Sequence, residues 1–148
     1  MRNIFIIILF LLNSCGYQPI YVGKNTKNFS FNEIVFEGNN KINEKIANVL
    51  NFEEKNSENN YEKIILNSEK TIIETSKDSK GQILSYKTTI KVSLRIENRE
   101  KKIKDKVFTD YFSYNTRDNK FELVEYQNQV ENNLTKTIIE EIFLYLNI

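Results

Sequence analysis

The sequence predicts an α+β domain in which a four-stranded, mostly antiparallel sheet carries two helices on one face, in the order β-α-β-β-β-α. Three segments predict it. Ile83–Glu97 alternates apolar and polar residues with period two, which is typical of a strand with one packed and one wet face. Asn40–Phe52 and the segment from Leu123 onward space their apolar residues by three and four, as amphipathic helices do. Because neither helix can bury its stripe alone, both are expected to pack on the sheet.

The first half of the domain is expected to form a strand and a helix. Phe29–Phe36 carries apolar residues on both faces of a predicted strand, and the next three residues interrupt it. Asn39 or Asn40 is the expected N-cap of the helix, because an amide oxygen accepts hydrogen bonds from free backbone amides. The helix is marked by an apolar stripe at positions i, i+4, i+7 and i+8, formed by Ile42, Ile46, Val49 and Leu50.

Three strands and a long helix are predicted for the second half. Tyr61–Ser76 is expected to be one long strand with a bulge in its middle, because a polar stretch separates two apolar groups. Ile83–Glu97 and Ile103–Tyr114 follow as strands, and Asp118 is the predicted N-cap of the closing helix. That helix is marked by an apolar line at steps of four, formed by Val130, Leu134, Ile138, Ile142 and Leu146.

The segment before this domain is typical of a lipoprotein leader. Arg2 precedes an apolar run of nine residues, 4–12, which is too short for a bilayer-spanning helix of about 20 residues. The residues at the end of this run resemble a lipobox, in which the cysteine thiol is acylated and the segment before it is removed. Its residues are Leu12, Asn13, Ser14, Cys15 and Gly16, and Asn13 stands where a small or apolar residue is usual. The alternative is a plain secretory signal with an incidental cysteine.

The predicted organisation is a signal peptide over residues 1–14, a lipidated tether over residues 15–28 and one domain over residues 29–148. The tether is polar and contains the only proline of the chain. Gly16 follows the cysteine, where many inner-membrane lipoproteins carry an aspartate. By analogy with lipoprotein sorting, the glycine favours the outer membrane.

Composition argues against several classes of function. The chain has 21 Lys and Arg against 20 Asp and Glu, which disfavours nonspecific binding to nucleic acid. Histidine is absent, so catalytic triads and zinc sites would lack an imidazole. Cys15 is the only cysteine, which leaves no disulfide partner within the chain. The prediction is a protein that is not an enzyme, with no metal and no cofactor beyond the covalent lipid on Cys15.

Cys15–Tyr21 (CGYQPIY), together with the lipobox and the predicted element order, resembles the LPS-assembly lipoprotein LptE family. The resemblance covers essentially the whole chain, including the meander Ile83–Phe112 and the segment Phe112–Asn115 before the last helix. It implies a non-catalytic lipoprotein on the periplasmic side of the outer membrane, which plugs the LptD β-barrel. Such a protein supports barrel assembly and the insertion of lipopolysaccharide into the outer leaflet. A polar, nearly neutral domain suits a barrel lumen lined with polar side chains.

Two other classes of lipoprotein stay open. An auxiliary lipoprotein of an ABC-type lipid transport system would need an apolar pocket that shields acyl chains. A lipoprotein that activates a cell-wall synthase would be expected to have a longer tether than the one in this sequence.

Basic residues of the predicted sheet are candidate ligands for lipopolysaccharide phosphates, since amine and guanidinium groups form charge-assisted bonds to phosphate. This hypothesis rests on charge alone. One group recurs every four residues on the wet face of a strand: Lys87, Lys91 and Arg95. A second group lies at the following turn: Lys101, Lys102, Lys104 and Lys106. The alternative interpretation is a solvated face with cross-strand charge pairs, or edge lysines that block strand addition.

Overall fold

The computed structural model describes residues 28–56, 61–99 and 101–147. The predicted signal peptide, the lipobox around Cys15 and the tether up to residue 27 lie outside the described residues. Within the described ranges the elements are β1 Phe29–Phe31, β2 Glu33–Gly38, α1 Asn40–Val49, β3 Phe52–Glu54, β4 Glu62–Lys77, β5 Ile83–Asn98, β6 Lys102–Asn115 and α2 Lys120–Leu146.

The main sheet has four strands in the order β2-β4-β5-β6, with both helices on one face. The pairs β4–β5 and β5–β6 are antiparallel, whereas β2 runs parallel to β4 because the chain crosses over through α1. A second, two-stranded parallel sheet pairs β1 with β3. The predicted α+β class, the four-stranded sheet and the two helices are therefore confirmed.

The core lies between the helices and one face of β4, β5 and β6. The alternation of β5 sets this face, since Ile90, Val92 and Leu94 are fully buried while Lys91 and Arg95 are exposed. The apolar line of α2 packs against it as predicted, with Ile138 and Ile142 fully buried. The other large side chains in this fully buried layer are Ile42, Ile46, Ile64, Leu66 and Phe108.

The start of the domain differs from the prediction in two respects. The predicted strand Phe29–Phe36 divides at Asn32, whose backbone N–H donates to the carbonyl of Glu62 and whose Oδ1 accepts from the N–H of Glu62. The first helix ends at Val49 rather than Phe52, because Asn51 adopts a positive φ of 49°. Phe52 instead begins the short strand β3, where its ring packs edge-on against Phe31.

The predicted bulge in the middle of β4 is wrong. The strand pairs with β5 without interruption from Glu62 to Glu74, and its register shifts only beyond Glu74. The polar residues at its centre are explained by contacts on the helix side. Ser68 is buried and donates its hydroxyl to the carbonyl of Asn39, and Lys70 pairs with a carboxylate of α2.

The helix N-caps are confirmed in one case and corrected in the other. Asn39 caps α1, with its Oδ1 accepting from the N–H of Ile42 at 3.2 Å. Asn119, not Asp118, caps α2, and its Oδ1 accepts from the N–H of Phe121 at 2.8 Å. The helix therefore begins at Lys120, three residues before Leu123, where the predicted helical spacing begins.

Gly38 joins β2 to α1 at a point where the backbone passes very close to β4. Its φ is +74°, and a Cβ atom at this position would lie 2.2 Å from the carbonyl oxygen of Ser68. The next residue, Asn39, donates its backbone N–H to the same oxygen at 2.8 Å. Only glycine satisfies both the left-handed φ and the close approach.

We expect Gly38→Ala to destabilise the domain by more than the roughly 1–3 kcal/mol of a left-handed φ alone, because the new methyl group also meets the β4 backbone. Gly81→Ala is the matched control. Gly81 has a φ of +80° but no atom within 4 Å of its Cβ position, so this variant adds only the conformational cost. Urea unfolding of both variants measures the difference, and equal losses of stability would contradict the proposed clash.

Candidate functional site

The face of the sheet that points away from the helices carries the predicted row Lys87, Lys91 and Arg95. Lys91 lies directly opposite Glu69 of β4, and Arg95 lies opposite Asp105 of β6. Two of these three cations therefore have an acidic cross-strand neighbour, an arrangement that stabilises a sheet in its own right.

Lys87 differs from the other two members of the row because an aromatic ring accompanies it. Its Nζ lies 4.0 Å from the centroid of the Tyr111 ring, on the edge strand β6. Such a cation–π contact holds the ammonium group over the sheet surface and keeps it half-buried. Tyr111 itself is 60% exposed, so this pair forms an amphipathic spot on the open face.

The second predicted group does not join this row. Lys101 lies in the β5–β6 turn, where its N–H donates to Asn98 Oδ1 at 2.8 Å. Lys102 begins β6 and pairs in register with Glu97. Lys104 lies on the helix side of the sheet, and its Nζ donates to the backbone carbonyl of Tyr145 at 3.2 Å. The seven predicted residues thus occupy three places, and their role in binding lipopolysaccharide stays a prediction.

The alternation of β6 in the sequence indicates that Lys104 lies on the helix side of the sheet. Lys104 and Lys106 fall in the same alternation as Phe108 and Tyr114, which are the buried residues of β6. Both ammonium groups extend along the end of α2, and Lys106 Nζ lies 5.0 Å from the centroid of the Tyr145 ring. Because Lys104 and Lys106 lie an even number of residues from the buried Phe108, the sequence places them on the helix side of β6, away from the solvent-exposed face that carries Lys87, Lys91 and Arg95.

A buried carboxylate, absent from the predicted site residues, joins three elements of the fold. Glu131 of α2 has a side chain that is 6% exposed. Its Oε1 accepts from Lys41 Nζ of α1 at 2.9 Å, and its Oε2 accepts from Lys70 Nζ of β4 at 2.6 Å. The sequence signal is weak, because Glu131 follows the apolar Val130 and its lysine partners are distant in the chain.

The electrostatics of this ion pair favour the charged form of Glu131. Burial by itself raises the pKa of the carboxyl group. The hydrogen bonds from Lys70 and Lys41 together lower this pKa by more than burial raises it, so the pKa of Glu131 lies below its ordinary value. Lys45 stands beside the pair and donates to Asn132 Oδ1 at 2.7 Å. Burial lowers the pKa of Lys45, against an opposing effect of Glu131.

The domain has two distinct ends along the axis of α2. The described chain begins at the end where the Phe29 ring packs edge-on against Phe143, with ring centroids 6.5 Å apart. The turn between β4 and β5 lies at the other end, where Tyr114 meets Tyr126 at the start of α2. The helix α2 has 27 residues and so extends over about 40 Å, and its contacts at Phe143 and Tyr126 lie about 25 Å apart along it.

The β4–β5 hairpin extends beyond the core at this second end. The partner strand β2 stops pairing with β4 at Ser68, so among the described strands β5 alone lies beside the outer half of β4. Three apolar side chains of the hairpin are exposed there: Ile72, Ile73 and Leu84. The hairpin therefore offers apolar surface that the domain itself does not cover.

The described residues contain neither a candidate membrane-spanning helix nor a candidate metal site. No helix in residues 28–56, 61–99 or 101–147 combines the length and hydrophobicity needed to cross a membrane. In the same part of the chain, no group of three or more acidic, histidine or cysteine side chains is arranged to hold a metal ion.

The fold is similar to that of solved bacterial lipoproteins. Rare lipoprotein B from Shewanella oneidensis matches with a TM-score of 0.59 at 9% identity, over 78% of this chain and 94% of that chain. An uncharacterized lipoprotein B from Nitrosomonas europaea matches with a TM-score of 0.52 at 9% identity, over 84% of this chain and 88% of that one. A putative lipoprotein from Caulobacter crescentus matches with a TM-score of 0.52 at 12% identity, over 76% and 85%. At these identities the likeness shows a shared fold.

Sequence comparison adds nothing to this likeness. No family model matches the chain, and no curated protein matches it.

We expect Glu131→Gln to destabilise the domain by about 2–3 kcal/mol, because it leaves two lysines of the ion pair without their counter-charge. Glu125→Gln removes a carboxylate from an exposed position of the same helix and serves as the control. Urea unfolding measures both changes. A loss no larger than that of the control would contradict a stabilising role for the ion pair.

The ion pair also predicts acid sensitivity. Because the folded pKa of Glu131 lies below its ordinary value of 4.5, the unfolded chain takes up this proton first on acidification. The stabilisation is complete above that value and is lost as the pH falls through the folded pKa. Urea midpoints measured from about pH 6 to about pH 3 should fall less steeply in Glu131→Gln than in the natural chain.

Some acid sensitivity should persist in that variant. The Tyr61 hydroxyl, followed by Lys63, lowers the pKa of Glu33 through hydrogen bonds of 2.6 and 2.9 Å. Indistinguishable pH profiles of the natural chain and Glu131→Gln would contradict the predicted contribution of Glu131.

Proposed function

We propose that this chain is a non-catalytic outer-membrane lipoprotein, anchored through acylated Cys15, that forms a complex with an LptD-type β-barrel and plugs its lumen. In this role it supports assembly of the barrel and insertion of lipopolysaccharide into the outer leaflet. The observation that carries the proposal is the separation between the end where the described chain begins and the end that bears the β4–β5 hairpin.

The dimensions of the sheet support this proposal. β4 and β5 each contain 16 residues and so extend over about 50 Å. A bilayer with its headgroups is about 40–45 Å thick. A domain tethered to the periplasmic leaflet at one end can therefore reach through a barrel lumen to the far leaflet with its hairpin.

The surface of the domain also supports a lumenal position. The open sheet face alternates basic, acidic and hydroxyl side chains, which suits contact with the polar interior of a barrel. The exposed apolar residues on the same face, Ile73, Val107 and Tyr111, offer packing contacts within that polar surround. The lipobox sequence and the shared fold with solved lipoproteins are consistent with the anchored form.

The first test is a pull-down of the acylated protein from detergent-solubilised outer membranes, followed by mass spectrometry. We expect a large β-barrel protein in a stoichiometric amount. Replacing residues 29–148 with an unrelated domain keeps Cys15 and the tether, and should remove the barrel. Recovery of an inner-membrane ATPase or permease instead would contradict the proposal.

A second test concerns lipopolysaccharide. We expect the triple variant Lys87→Gln, Lys91→Gln, Arg95→Gln to bind rough lipopolysaccharide about tenfold more weakly, because these cations form one row on the open face. The control replaces three exposed lysines elsewhere and changes the net charge equally: Lys55, Lys80 and Lys120. Equal weakening in both triple variants would indicate an effect of net charge and contradict a specific role for the row.

An auxiliary role in an ABC-type lipid transport system is the second candidate. A groove of about 320 Å³ between α1 and α2 favours it, because Val49 and Ile139 supply apolar walls. Lys45 and Lys136 at the same groove suit an anionic headgroup. The pull-down separates the two functions, since this candidate requires the ATPase or permease as partner.

A further inference from the structure

A groove of about 340 Å³ runs between the edge strand β6 and the helix α2. Asp110 and Phe112 line it from the strand, and Tyr126, Gln129 and Asn133 line it from the helix. Neither the predicted basic row nor the buried ion pair contributes to it. Its size lies near the lower end of the range for ligand pockets, about 300–1,000 Å³.

The aromatic walls of the groove are held in place. Tyr126 contacts Tyr114 edge-on with centroids 5.5 Å apart, and the Arg117 guanidinium lies 4.4 Å from the centroid of the Tyr126 ring. Phe112 stands on the helix side of β6 and yet remains 47% exposed, because α2 leaves room beside it. An exposed ring beside a fixed ring offers flat apolar surface to a ligand.

The polar side chains of the groove form a line on α2, across the groove from the Phe112 ring. Gln129, Asn133 and Thr137 follow each other at steps of four, so they lie on one face of α2. The two amides both donate and accept hydrogen bonds, whereas Asp110 only accepts. None of the described residues that line the groove is a lysine or an arginine. This set suits a ligand rich in hydroxyl groups and does not favour a phosphate.

Asp110 also disfavours a peptide strand as the ligand. Its Oδ1 accepts from the backbone N–H of Tyr111 at 2.8 Å, so this amide of β6 already has a partner. Strand addition at this point would have to break that hydrogen bond.

We propose that the groove binds a neutral oligosaccharide, with one or two sugar rings between Phe112 and the polar line of α2. The C–H face of a sugar ring packs on the Phe112 ring, and its hydroxyl groups exchange hydrogen bonds with Gln129, Asn133 and Asp110. Plain hexoses and N-acetylhexosamines share this chemistry, and the side-chain amides suit the acetamido group of the latter. The inference is independent of the proposed barrel partner, because it concerns the isolated chain.

The test is a titration of the full chain, purified in a detergent without a sugar headgroup and followed by ¹H–¹⁵N NMR. The probes are maltotriose, tri-N-acetylchitotriose and glucose 6-phosphate. We expect at least one neutral trisaccharide to shift the amides of residues 110–112 and 126–137. A response to only one of the two identifies the sugar class. Glucose 6-phosphate should bind more weakly, because the described lining residues of the groove include a carboxylate but no lysine or arginine.

Substitutions inside and outside the groove test whether the sugar binds there. Phe112→Ala should weaken the response by about fivefold or more, because it removes the stacking surface. Phe121→Ala removes a phenylalanine that is 75% exposed and lies outside the groove, and it should leave the affinity within about twofold. Asn133→Ala should also weaken binding, and its exposed helical position tolerates alanine well.

Three outcomes would overturn the proposal. The first is no response to either trisaccharide. The second is tighter binding of glucose 6-phosphate than of both neutral probes. The third is unchanged affinity in both Phe112→Ala and Asn133→Ala.

Discussion

The arrangement of the two helices depends on the ion pair that the carboxylate of Glu131 forms with Lys41 and Lys70. Burial of apolar side chains drives both helices onto the sheet, but it is non-directional and would tolerate small shifts along the strands. The bonds from Lys41 and Lys70 act only when α1, β4 and α2 hold one relative position. A buried charge destabilises any packing that leaves it unpaired, so this ion pair excludes alternatives as well as stabilising the observed fold.

The same requirement explains why β4 changes character along its length. Its first half is covered by α1 and carries Ile64 and Leu66, both fully buried. At its centre Ser68 and Lys70 turn polar atoms toward the helix layer, where each finds a specific partner. Beyond them neither α1 nor α2 covers the strand, and the described hairpin continues with exposed side chains. The first part of β4 thus belongs to the core, its centre forms polar contacts with α1 and α2, and its last part extends beyond the core.

Most of the architecture could be predicted from the sequence, because it depends on local periodicity. The alternation of Ile83–Glu97 and the apolar line ending at Leu146 each determine a face without knowledge of any partner. The errors arose where a distant residue decides the local structure. Asn32 is fixed by Glu62, and the polar centre of β4 is fixed by Asn39 and Glu131. The candidate cations were correctly placed on the wet face of β5, whereas Lys104 faces α2 because its parity follows Phe108.

The crossover from β2 to β4 has a consequence for the order of folding. β4, β5 and β6 are joined by short turns, so their pairing closes only small loops. β2 reaches its position beside β4 from some 30 residues away, and the Gly38 junction can form only once the Ser68 carbonyl is in place. The three-stranded meander is therefore expected to form early, with β2 and α1 docking late. Destabilising substitutions in β2 would then accelerate unfolding more than they slow folding, a partition that stopped-flow kinetics measures directly.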